Sequence, residues 1–327
     1  MAKIVVLDGK ALNPGDNPWE DLEAAGELAV YDRTPADKVV ERARGAQIVL
    51  TNQTPIDAEA IAALPELEFI VMLATGYDNV DIKAAGERGI PVANAPGYST
   101  NSVAQFTFSL LLELCNRVCL HDAAVKSGEW AASQEASMAM TSQVELAGRT
   151  MGIIGFGDIG HKVGETAHAF GMSVYVYNPR PKREPGYRPF GFGSLEEVFA
   201  KSDVVSLHCP LTVENRGFVD ASLLGLMKPE AFLINTARGE LVNEADLVDA
   251  LNSGKIAGAG LDVMAMEPLP AGHPLVTAKN AVLTPHMAWS SRRARRTLMR
   301  MTAETVRMFM RGRATHVVNR SHLSPGS

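Results

Sequence analysis

The sequence has few cysteines, and this argues against two kinds of site. Three cysteines cannot form a paired disulfide framework. Cys115 and Cys119 stand one helical turn apart in an apolar stretch, where core packing explains them better than metal binding. Because no histidine or acid completes a ligand set there, we expect no metal site.

An excess of positive charge is also absent. The formal net charge is −6, and a protein that neutralises nucleic-acid phosphates needs a basic surface, so we expect no nucleic-acid partner. One basic cluster near the C-terminus departs from this pattern, and a solvated helix face explains it. The cluster comprises Arg292, Arg293, Arg295 and Arg296.

Long apolar runs are missing as well. Residues 4–7 are too short for a secretory signal, and Asp8 ends the run before any cleavage site. The strongest later candidate for a membrane span, residues 106–114, is short and contains Glu113. We therefore expect a cytoplasmic protein with no membrane partner.

What the sequence does contain is a repeated α/β alternation. A length of 327 residues favours two domains. In residues 1–101, short β-branched runs alternate with helical ones, which implies parallel strands joined by crossover helices. Strands are predicted at residues 4–7, 28–31, 48–51, 69–73 and 91–94, and helices at 21–25, 37–44, 57–64 and 82–88.

A second alternation starts at Thr150, after a long apolar helix. Ser102 and Gln105 form a predicted capping box for that helix, and its apolar residues nearly surround the axis, which implies an extra contact with another domain or subunit. An extended arm is predicted to follow. The last helix, residues 291–311, is expected to cross back onto the first domain, and residues 321–327 are expected to be disordered.

These patterns predict a domain organisation and a fold class. We expect two doubly wound α/β domains with parallel sheets and a cleft between them. One is a Rossmann domain over residues 102–286, with an extended arm at about 119–147. The other is a flavodoxin-like substrate domain over residues 1–101, completed by 287–327.

A glycine-rich motif stands between a predicted strand and a predicted helix. Residues 155–160, GFGDIG, follow an apolar strand run directly. Gly155 permits a tight turn, Gly157 lets a pyrophosphate approach the backbone, and Gly160 lets helix and strand pack closely. The phosphates would lie at the helix N-terminus. The cofactor contacts predicted here are Gly155, Gly157, Asp158, Ile159 and Gly160.

The choice between NAD and NADP depends on the end of the second strand. NAD-binding domains usually carry an acid there for the ribose hydroxyls, and this sequence has Asn178. Without a carboxylate nothing repels a 2′-phosphate, and Arg180, Lys182 and Arg183 follow as cations that could bind one. Asn178 can also bind a ribose, and the cations can flank a solvated loop. Both cofactors stay open, and Asn178 with Arg180 favours NADP.

Three residues follow successive predicted strands and suit the reduction of a 2-oxo acid. That reaction needs a cation for the carboxylate, a proton donor for the developing alkoxide and a hydride donor. The planar fork of Arg238 matches a carboxylate. His286 can act as acid and base, and Glu267 could accept a hydrogen bond from its imidazole. Each residue alone has a bland structural explanation, and their joint placement favours a shared site.

With these motifs the sequence resembles the D-isomer-specific 2-hydroxyacid dehydrogenase family, most closely its hydroxypyruvate reductase or glycerate dehydrogenase branch. The likeness covers nearly the whole chain. The stretches that carry it are LATGYD at 73–78, GFGDIG at 155–160, LHCPLT at 207–212, NTARG at 235–239, GLDV at 260–263 with Glu267-Pro268, and TPH at 284–286.

The resemblance implies an NAD(P)-dependent interconversion of a small 2-oxo acid, of the glyoxylate or hydroxypyruvate class, and its D-2-hydroxy acid. It implies Arg238, Glu267 and His286 as the catalytic set. It also implies a homodimer built on the Rossmann dinucleotide-binding domain, with residues 119–147 as the approximate dimerisation arm. The other contacts it implies are the amides of Thr75 and Gly76 with the substrate carboxylate, Asp262 with the nicotinamide carboxamide, Thr236 and Ala237 with the nicotinamide ribose, and Cys209 and Pro210 with the adenosine.

Two alternatives remain open. Tyr77 and Trp289 either form walls of the substrate pocket or serve in packing. A dinucleotide-sensing binding protein, like the corepressors that share this fold, is the alternative to an enzyme, since fold alone does not settle function. The complete arginine, glutamate and histidine set favours the enzyme, because a sensor need not keep it.

Overall fold

The computed structural model describes residues 1–180 and 182–323, which form two compact units. Unit 1 consists of Met1–Ser99 and Trp289–Ser327, and unit 2 of Thr100–Ala288. Residues 324–327 of the tail expected to be disordered lie outside the described residues. The expectation is wrong for the start of that tail, because Arg320–His322 form a short 3-10 helix.

Unit 1 contains a five-stranded parallel sheet with the order β2-β1-β3-β4-β5. Its three central strands are almost entirely buried, as their β-branched and apolar residues require. The strands are β1 (Lys3–Val6), β2 (Glu27–Val30), β3 (Ile48–Thr51), β4 (Phe69–Met72) and β5 (Val92–Ala93). The crossover helices are α1 (Glu20–Glu23), α2 (Val39–Ala43), α3 (Ala58–Ala62) and α4 (Ile82–Glu87), with 3-10 helices at Gly9–Ala11 and Ala36–Lys38.

Unit 2 contains a seven-stranded parallel sheet. The strands are β6 (Thr150–Ile154), β7 (Ser173–Tyr177), β8 (Phe190–Phe192), β9 (Val204–Leu207), β10 (Phe232–Asn235), β11 (Gly258–Leu261) and β12 (Ala281–Leu283). Their order is β12-β11-β10-β9-β6-β7-β8, so the order reverses between β6 and β9. The edge strand β8 was not predicted from the sequence, because only three residues pair with β7. With both sheets parallel and flanked by helices, the predicted fold class is confirmed.

The helices of unit 2 begin with the long apolar one. They are α5 (Thr100–Asn116), α6 (Val118–Ser127), α7 (Glu129–Ser133), α8 (Asp158–Ala169), α9 (Leu195–Lys201), α10 (Ala221–Leu226) and α11 (Glu244–Ser253), with 3-10 helices at Gly239–Leu241 and Pro274–Thr277. No single helix in the described part of the chain is long and apolar enough to cross a membrane, although α5 and α6 together, bent by 55°, pass the same test of length and composition.

Helix α5 differs from its prediction at its start. It begins at Thr100, so Ser102 lies inside the helix and the predicted capping box is wrong. The Ser102 hydroxyl instead donates to the Ala288 carbonyl at 2.7 Å. Unit 2 itself buries much of the helix, because Phe108 stacks on Phe170 at 5.1 Å between ring centroids. A glycine in β11, Gly260, leaves room for Leu110, whose Cβ would lie 2.9 Å from an added Cβ.

The predicted extended arm is partly helical. Helices α6 and α7 occupy its first half, and residues 134–149 are irregular. The glycine between them, Gly128, has φ of +87°, which permits the sharp change of direction. Several large apolar side chains of this segment are exposed in unit 2: Val118, Leu120, Val125, Trp130 and Met140.

The last helix, α12 (Arg292–Met310), belongs to unit 1. Ser291 caps it by accepting a hydrogen bond from the Ala294 amide at 3.3 Å. Its apolar face packs on the sheet, where Phe309 stacks on Phe69 with ring centroids 4.2 Å apart.

Candidate active site

The glycine motif after β6 is packed too tightly for any side chain at two of its positions. Gly155 has φ of +93°, and a Cβ there would lie 2.7 Å from the Cys209 amide nitrogen. A Cβ at Gly160 would lie 2.1 Å from the Gly155 carbonyl oxygen. These contacts hold the turn and α8 against the point between β6 and β9 where the strand order reverses. Ligands of open α/β sheets bind at such a point.

The third glycine leaves a cradle with free donors. A Cβ added at Gly157 would meet no atom within 4 Å. In the described part of the chain, the amides of Gly157, Asp158 and Ile159 have no acceptor. Three unsatisfied N–H groups at the positive end of α8 suit an anion. The residues therefore fit the phosphates of a dinucleotide.

Asn178, at the end of β7, uses its side chain within the protein. Its Oδ1 accepts a hydrogen bond from the Phe156 amide at 2.8 Å, and its Nδ2 donates to the Arg180 carbonyl at 2.5 Å. The amide thus ties the glycine motif to the turn that carries the exposed Arg180. This double contact cannot be read from the sequence. The sequence indicates Asn178 as a cofactor residue but not as a link between two backbone segments.

The segment after β9 borders the same reversal point. Burial raises the pKa of Cys209 to about 11, so its thiol is neutral at pH 7. Burial lowers the pKa of His208 to about 3, so its imidazole is neutral too. His208 Nε2 lies 2.8 Å from the Ser206 hydroxyl. Neither side chain is suited to proton transfer, and the neighbouring Pro210 is exposed.

The structure brings together the three residues predicted to carry the chemistry. Arg238, Glu267 and His286 follow β10, β11 and β12, which are neighbours in the sheet. Gly239 makes the approach possible, because a Cβ there would lie 1.9 Å from the Met264 carbonyl carbon. The backbone after Arg238 therefore packs directly on the segment that leads to Glu267.

Glu267 and His286 form a hydrogen-bonded pair. His286 Nδ1 lies 2.6 Å from Glu267 Oε2, and Glu267 Oε1 accepts from the Met264 amide at 3.1 Å. Burial by itself raises the pKa of Glu267, but the His286 bond and charge, the Met264 amide and the charge of Arg238 outweigh it and hold the pKa below its ordinary value. Glu267 therefore stays ionised, and its Oε2 fixes the position of His286 Nδ1.

Asp262 holds the backbone of the His286 turn. His286 has φ of +51°, a conformation uncommon for residues other than glycine, and its amide donates to the Asp262 carbonyl at 2.8 Å. The Asp262 carboxylate accepts from the Thr284 hydroxyl at 2.7 Å and from the amides of Met287 and Ala288 at 2.9 and 2.8 Å. Burial raises the pKa of Asp262 despite these bonds. This positioning contact was not predicted, since no local motif signals it.

A second acid outside the predicted set fixes the segment that carries Glu267. Glu244 Oε1 accepts from the Ala265 amide at 2.8 Å, and its Oε2 lies 3.4 Å from His273 Nε2. Met264 and Ala265 are therefore held by two different glutamates. Glu244 begins α11, far from Glu267 in sequence, so no spacing rule could have identified the contact.

The predicted ribose contacts lie just after β10. The Ala237 amide donates to Asn235 Oδ1 at 3.0 Å, which shapes the turn before Arg238. The hydroxyls of Thr236 and Thr107 lie 3.3 Å apart. Arg238 Nη1 donates to the Ala237 carbonyl at 2.8 Å, so one edge of the guanidinium is already oriented by its own loop.

The remaining predicted substrate contacts belong to unit 1. Thr75 and Gly76 follow β4, and within residues 1–180 and 182–323 their amides have no acceptor. Thr75 Oγ1 donates to the Ala95 carbonyl at 3.1 Å. Tyr77 is exposed, whereas Trp289 is only 9% exposed and contacts Tyr98 edge to face at 6.3 Å.

Comparisons with known proteins all point to one family. Residues 108–288 match the profile of the D-isomer specific 2-hydroxyacid dehydrogenase, NAD binding domain. The chain is 44% identical to the hydroxypyruvate reductase of Blautia hydrogenotrophica over 97% of this chain and 100% of that protein. It is 36% identical to the glycerate dehydrogenase of Methylorubrum extorquens over 97% of this chain and 98% of that protein. Among solved structures, an NADPH-dependent glyoxylate/hydroxypyruvate reductase from Sinorhizobium meliloti, in complex with NADP and malonate, has a TM-score of 0.86 at 29% identity, with 100% of this chain and 99% of that chain covered.

Proposed function

Because this chain belongs to the D-isomer-specific 2-hydroxyacid dehydrogenase family, it is a nicotinamide-dependent oxidoreductase of small 2-oxo acids, and we propose that glyoxylate or hydroxypyruvate is the acid it reduces. The observation that carries the proposal is the 2.6 Å bond between His286 Nδ1 and Glu267 Oε2 at the strand ends that also present Arg238. The relatives named above are enzymes, so the binding-protein alternative is not favoured.

In the proposed reaction, each member of the set has one task. Arg238 binds the substrate carboxylate with its planar guanidinium. The hydride for the carbonyl carbon would come from a reduced nicotinamide, when one is bound. His286 donates the proton from Nε2 to the carbonyl oxygen, so the carbonyl becomes a hydroxyl and the imidazole becomes neutral. Glu267 holds Nδ1 and stabilises the imidazolium before the transfer. Oxidation of the 2-hydroxy acid reverses these steps.

Other predicted contacts enter the proposal with support of different kinds. The unsatisfied amides of Thr75 and Gly76 support their role with the substrate carboxylate. The exposed ring of Tyr77 supports a substrate contact, while the burial of Trp289 against Tyr98 favours packing for that residue. The proposed cofactor contacts are Gly155, Gly157, Asp158, Ile159 and Gly160 with the phosphates, Cys209 and Pro210 with the adenosine, Thr236 and Ala237 with the nicotinamide ribose, and Asp262 with the carboxamide.

The reaction is tested by a substrate panel and one variant. Loss of NADPH or NADH absorbance with glyoxylate, hydroxypyruvate and pyruvate measures kcat/KM for each acid. We expect His286→Ala to lower kcat by roughly 1,000-fold while leaving the cofactor Kd unchanged, because only the proton donor is lost. His168→Ala, an exposed histidine at the end of α8, is the matched control. An unchanged kcat in His286→Ala removes the proton-donor assignment.

For the cofactor, we propose a preference for NADP. Asn178 places no carboxylate near the ribose. Its Nδ2 donates to the carbonyl of the exposed Arg180, which fixes the backbone that carries this cation. The measurement is the ratio of kcat/KM for NADPH to that for NADH, in the parent and in Arg180→Gln. We expect the substitution to lower the ratio by roughly tenfold, since a charge-assisted contact to phosphate is lost. A parent ratio that strongly favours NADH contradicts the proposal.

We also propose that the chain forms a homodimer through the segment of α6, α7 and the residues that follow. The exposed apolar side chains of this segment, such as Val125 and Trp130, support it. Light scattering should give twice the 35.1 kDa of one chain. Val125→Asp should shift the mass toward the monomer, whereas Val213→Asp, which adds the same charge at another exposed valine of unit 2, should not.

A further inference from the structure

The first three turns of α12 present a row of exposed arginines in unit 1. Four of them, together with Thr297, line a surface depression of about 450 Å³. All the lining residues come from this one helix, and the buried Arg295 between them points elsewhere. The arginines of this row are Arg292, Arg293, Arg296 and Arg300.

The row has almost no counter-charge in the described residues. The nearby acid, Asp16, is held by Arg295, whose Nη2 donates to it at 2.8 Å, and the hydrogen bond from Arg295 lowers the pKa of Asp16. Arg292 Nε is 3.9 Å from the same carboxylate. Arg293, Arg296 and Arg300 make no ion pair or side-chain hydrogen bond within residues 1–180 and 182–323. Among the described residues, Glu304, four positions after Arg300, also forms no ion pair with it.

This arrangement is electrostatically unfavourable for the helix alone. Arg292 and Arg293 occupy the first turn, where the helix dipole favours anions and no acidic residue is present. Arg296 follows Arg292 by four residues and Arg300 follows Arg296 by four, spacings at which like charges destabilise a helix. The whole chain carries a net charge of −6. A bound anion would remove each of these penalties.

We infer that this arginine row binds a small anion that carries several linked phosphate groups. Guanidinium forks match phosphate oxygens in pairs, which gives the row its preference for phosphate. Arginines four residues apart are separated by about 6 Å along the helix axis. A single orthophosphate cannot span Arg292, Arg296 and Arg300, whereas a chain of phosphates can. The inference is independent of the reaction proposed above.

Inorganic tripolyphosphate is the probe, measured by isothermal titration calorimetry in 150 mM NaCl. No nucleotide is present, because NADP⁺ itself carries linked phosphates. Binding that persists in the glutamine variant of the row is assigned to the glycine cradle of unit 2. The parent chain should bind the probe, and the affinity should fall as salt rises, because exposed charges are screened. The variant Arg293→Gln with Arg296→Gln and Arg300→Gln should bind at least roughly tenfold more weakly. Its Tm without the probe should equal or exceed that of the parent, since repulsion is removed.

The control variant changes the same number of exposed arginines elsewhere in unit 1. Its substitutions are Arg311→Gln, Arg313→Gln and Arg320→Gln. It should bind tripolyphosphate like the parent. The variant Arg293→Lys with Arg296→Lys and Arg300→Lys should bind with intermediate affinity, because the positive charge remains while the planar guanidinium fork is lost. Absence of binding, equal binding by both glutamine variants, or equal affinity for orthophosphate overturns the inference. Tighter binding of single-stranded DNA that grows with its length also overturns it, in favour of a nucleic-acid surface.

Discussion

In both sheets the strand order reverses beside the first strand, and in unit 1 a carboxylate of the chain itself occupies that position. Between β1 and β3, the buried Asp8 accepts hydrogen bonds from the amides of Asn52, Gln53 and Thr54 at 2.7, 2.5 and 2.7 Å. The donors that would attract an anionic ligand are thereby satisfied internally. We call this arrangement, in which the Asp8 carboxylate takes the place of a bound anion, the structural lock of unit 1.

At the corresponding point of unit 2, between β6 and β9, no carboxylate of the described residues accepts hydrogen bonds from the backbone amides. The amides of Gly157, Asp158 and Ile159 have no acceptor among the described residues. The comparison teaches that the same topological position becomes a lock or a ligand site according to whether the chain supplies its own anion. It also supports the assignment of the dinucleotide to unit 2.

The strongest test of the comparison places a carboxylate in the open position. Gly157 has φ of −82° and room for a Cβ, so Gly157→Asp should fold. The new carboxylate would cap the free amides of α8, as Asp8 does in unit 1, and repel the cofactor phosphates. We expect the Kd for NADPH, measured by fluorescence titration, to rise by on the order of 100-fold or more, since charge-assisted bonds of about 1.5–3 kcal/mol each are lost.

Gly157→Asn is the matched control for that variant. It has nearly the same shape without the charge, so it should weaken NADPH binding much less than the aspartate does. Equal effects of the two substitutions would mean that steric filling, and not the anion, explains the result. An aspartate variant that binds NADPH like the parent would remove the phosphate assignment of the cradle.

The reverse test opens the lock of unit 1. Asp8→Ala leaves three amides without an acceptor, and we expect the free energy of unfolding in urea to fall by about 3 kcal/mol, because each unsatisfied buried donor costs about 1–3 kcal/mol and water can reach part of the site. Asp8→Asn keeps one acceptor oxygen and should lose less. A loss below roughly 0.5 kcal/mol in Asp8→Ala, the usual range for surface substitutions, contradicts the lock.

Glu267 is another acid that follows a strand, and it differs from Asp8 because only one of its oxygens accepts from the backbone. The other accepts from His286. Glu267→Gln should lower kcat/KM for reduction by roughly tenfold, with a greater loss at higher pH, because the imidazolium loses its anionic partner. A variant with the parent's rate and pH profile would show that the carboxylate charge is not used.

The stability of the chain should depend on pH through Glu267. The direction of its pKa shift determines whether stability rises or falls with pH. The pKa of Glu267 is lowered in the folded chain, so its contribution to stability is fully present above its ordinary pKa, at about pH 4.5, and is lost as pH falls through the lower folded value. The difference in unfolding free energy between the parent and Glu267→Gln should shrink as pH falls below 4.5. A difference that already shrinks above pH 5 contradicts this assignment.

These cases also show what the sequence could predict. Arg238, Glu267 and His286 follow strands, and because parallel strands end at one edge, their proximity follows from the alternation pattern. The contacts that orient them do not follow from it. The carboxylate of Asp262 holds the turn of His286, and Gly239 packs on Met264, across distances in sequence that only the folded chain defines. The capping box predicted at Ser102 is wrong for a related reason. The Ser102 hydroxyl donates to the Ala288 carbonyl, which is distant in sequence, and does not cap its own helix.

The smallest predicted effect concerns what keeps the cradle of unit 2 open. Asn178 accepts from the Phe156 amide and donates to the Arg180 carbonyl, so it positions the glycine motif rather than reading a phosphate. Asn178→Ala should raise the Kd of NADH and NADPH by the same factor, roughly fivefold, because the glycine motif loses the hydrogen bond from the Phe156 amide, worth about 1 kcal/mol. Arg180→Gln should instead affect NADPH alone. If Asn178→Ala weakens only NADPH, Asn178 takes part in phosphate recognition, and the cradle is selective as well as open.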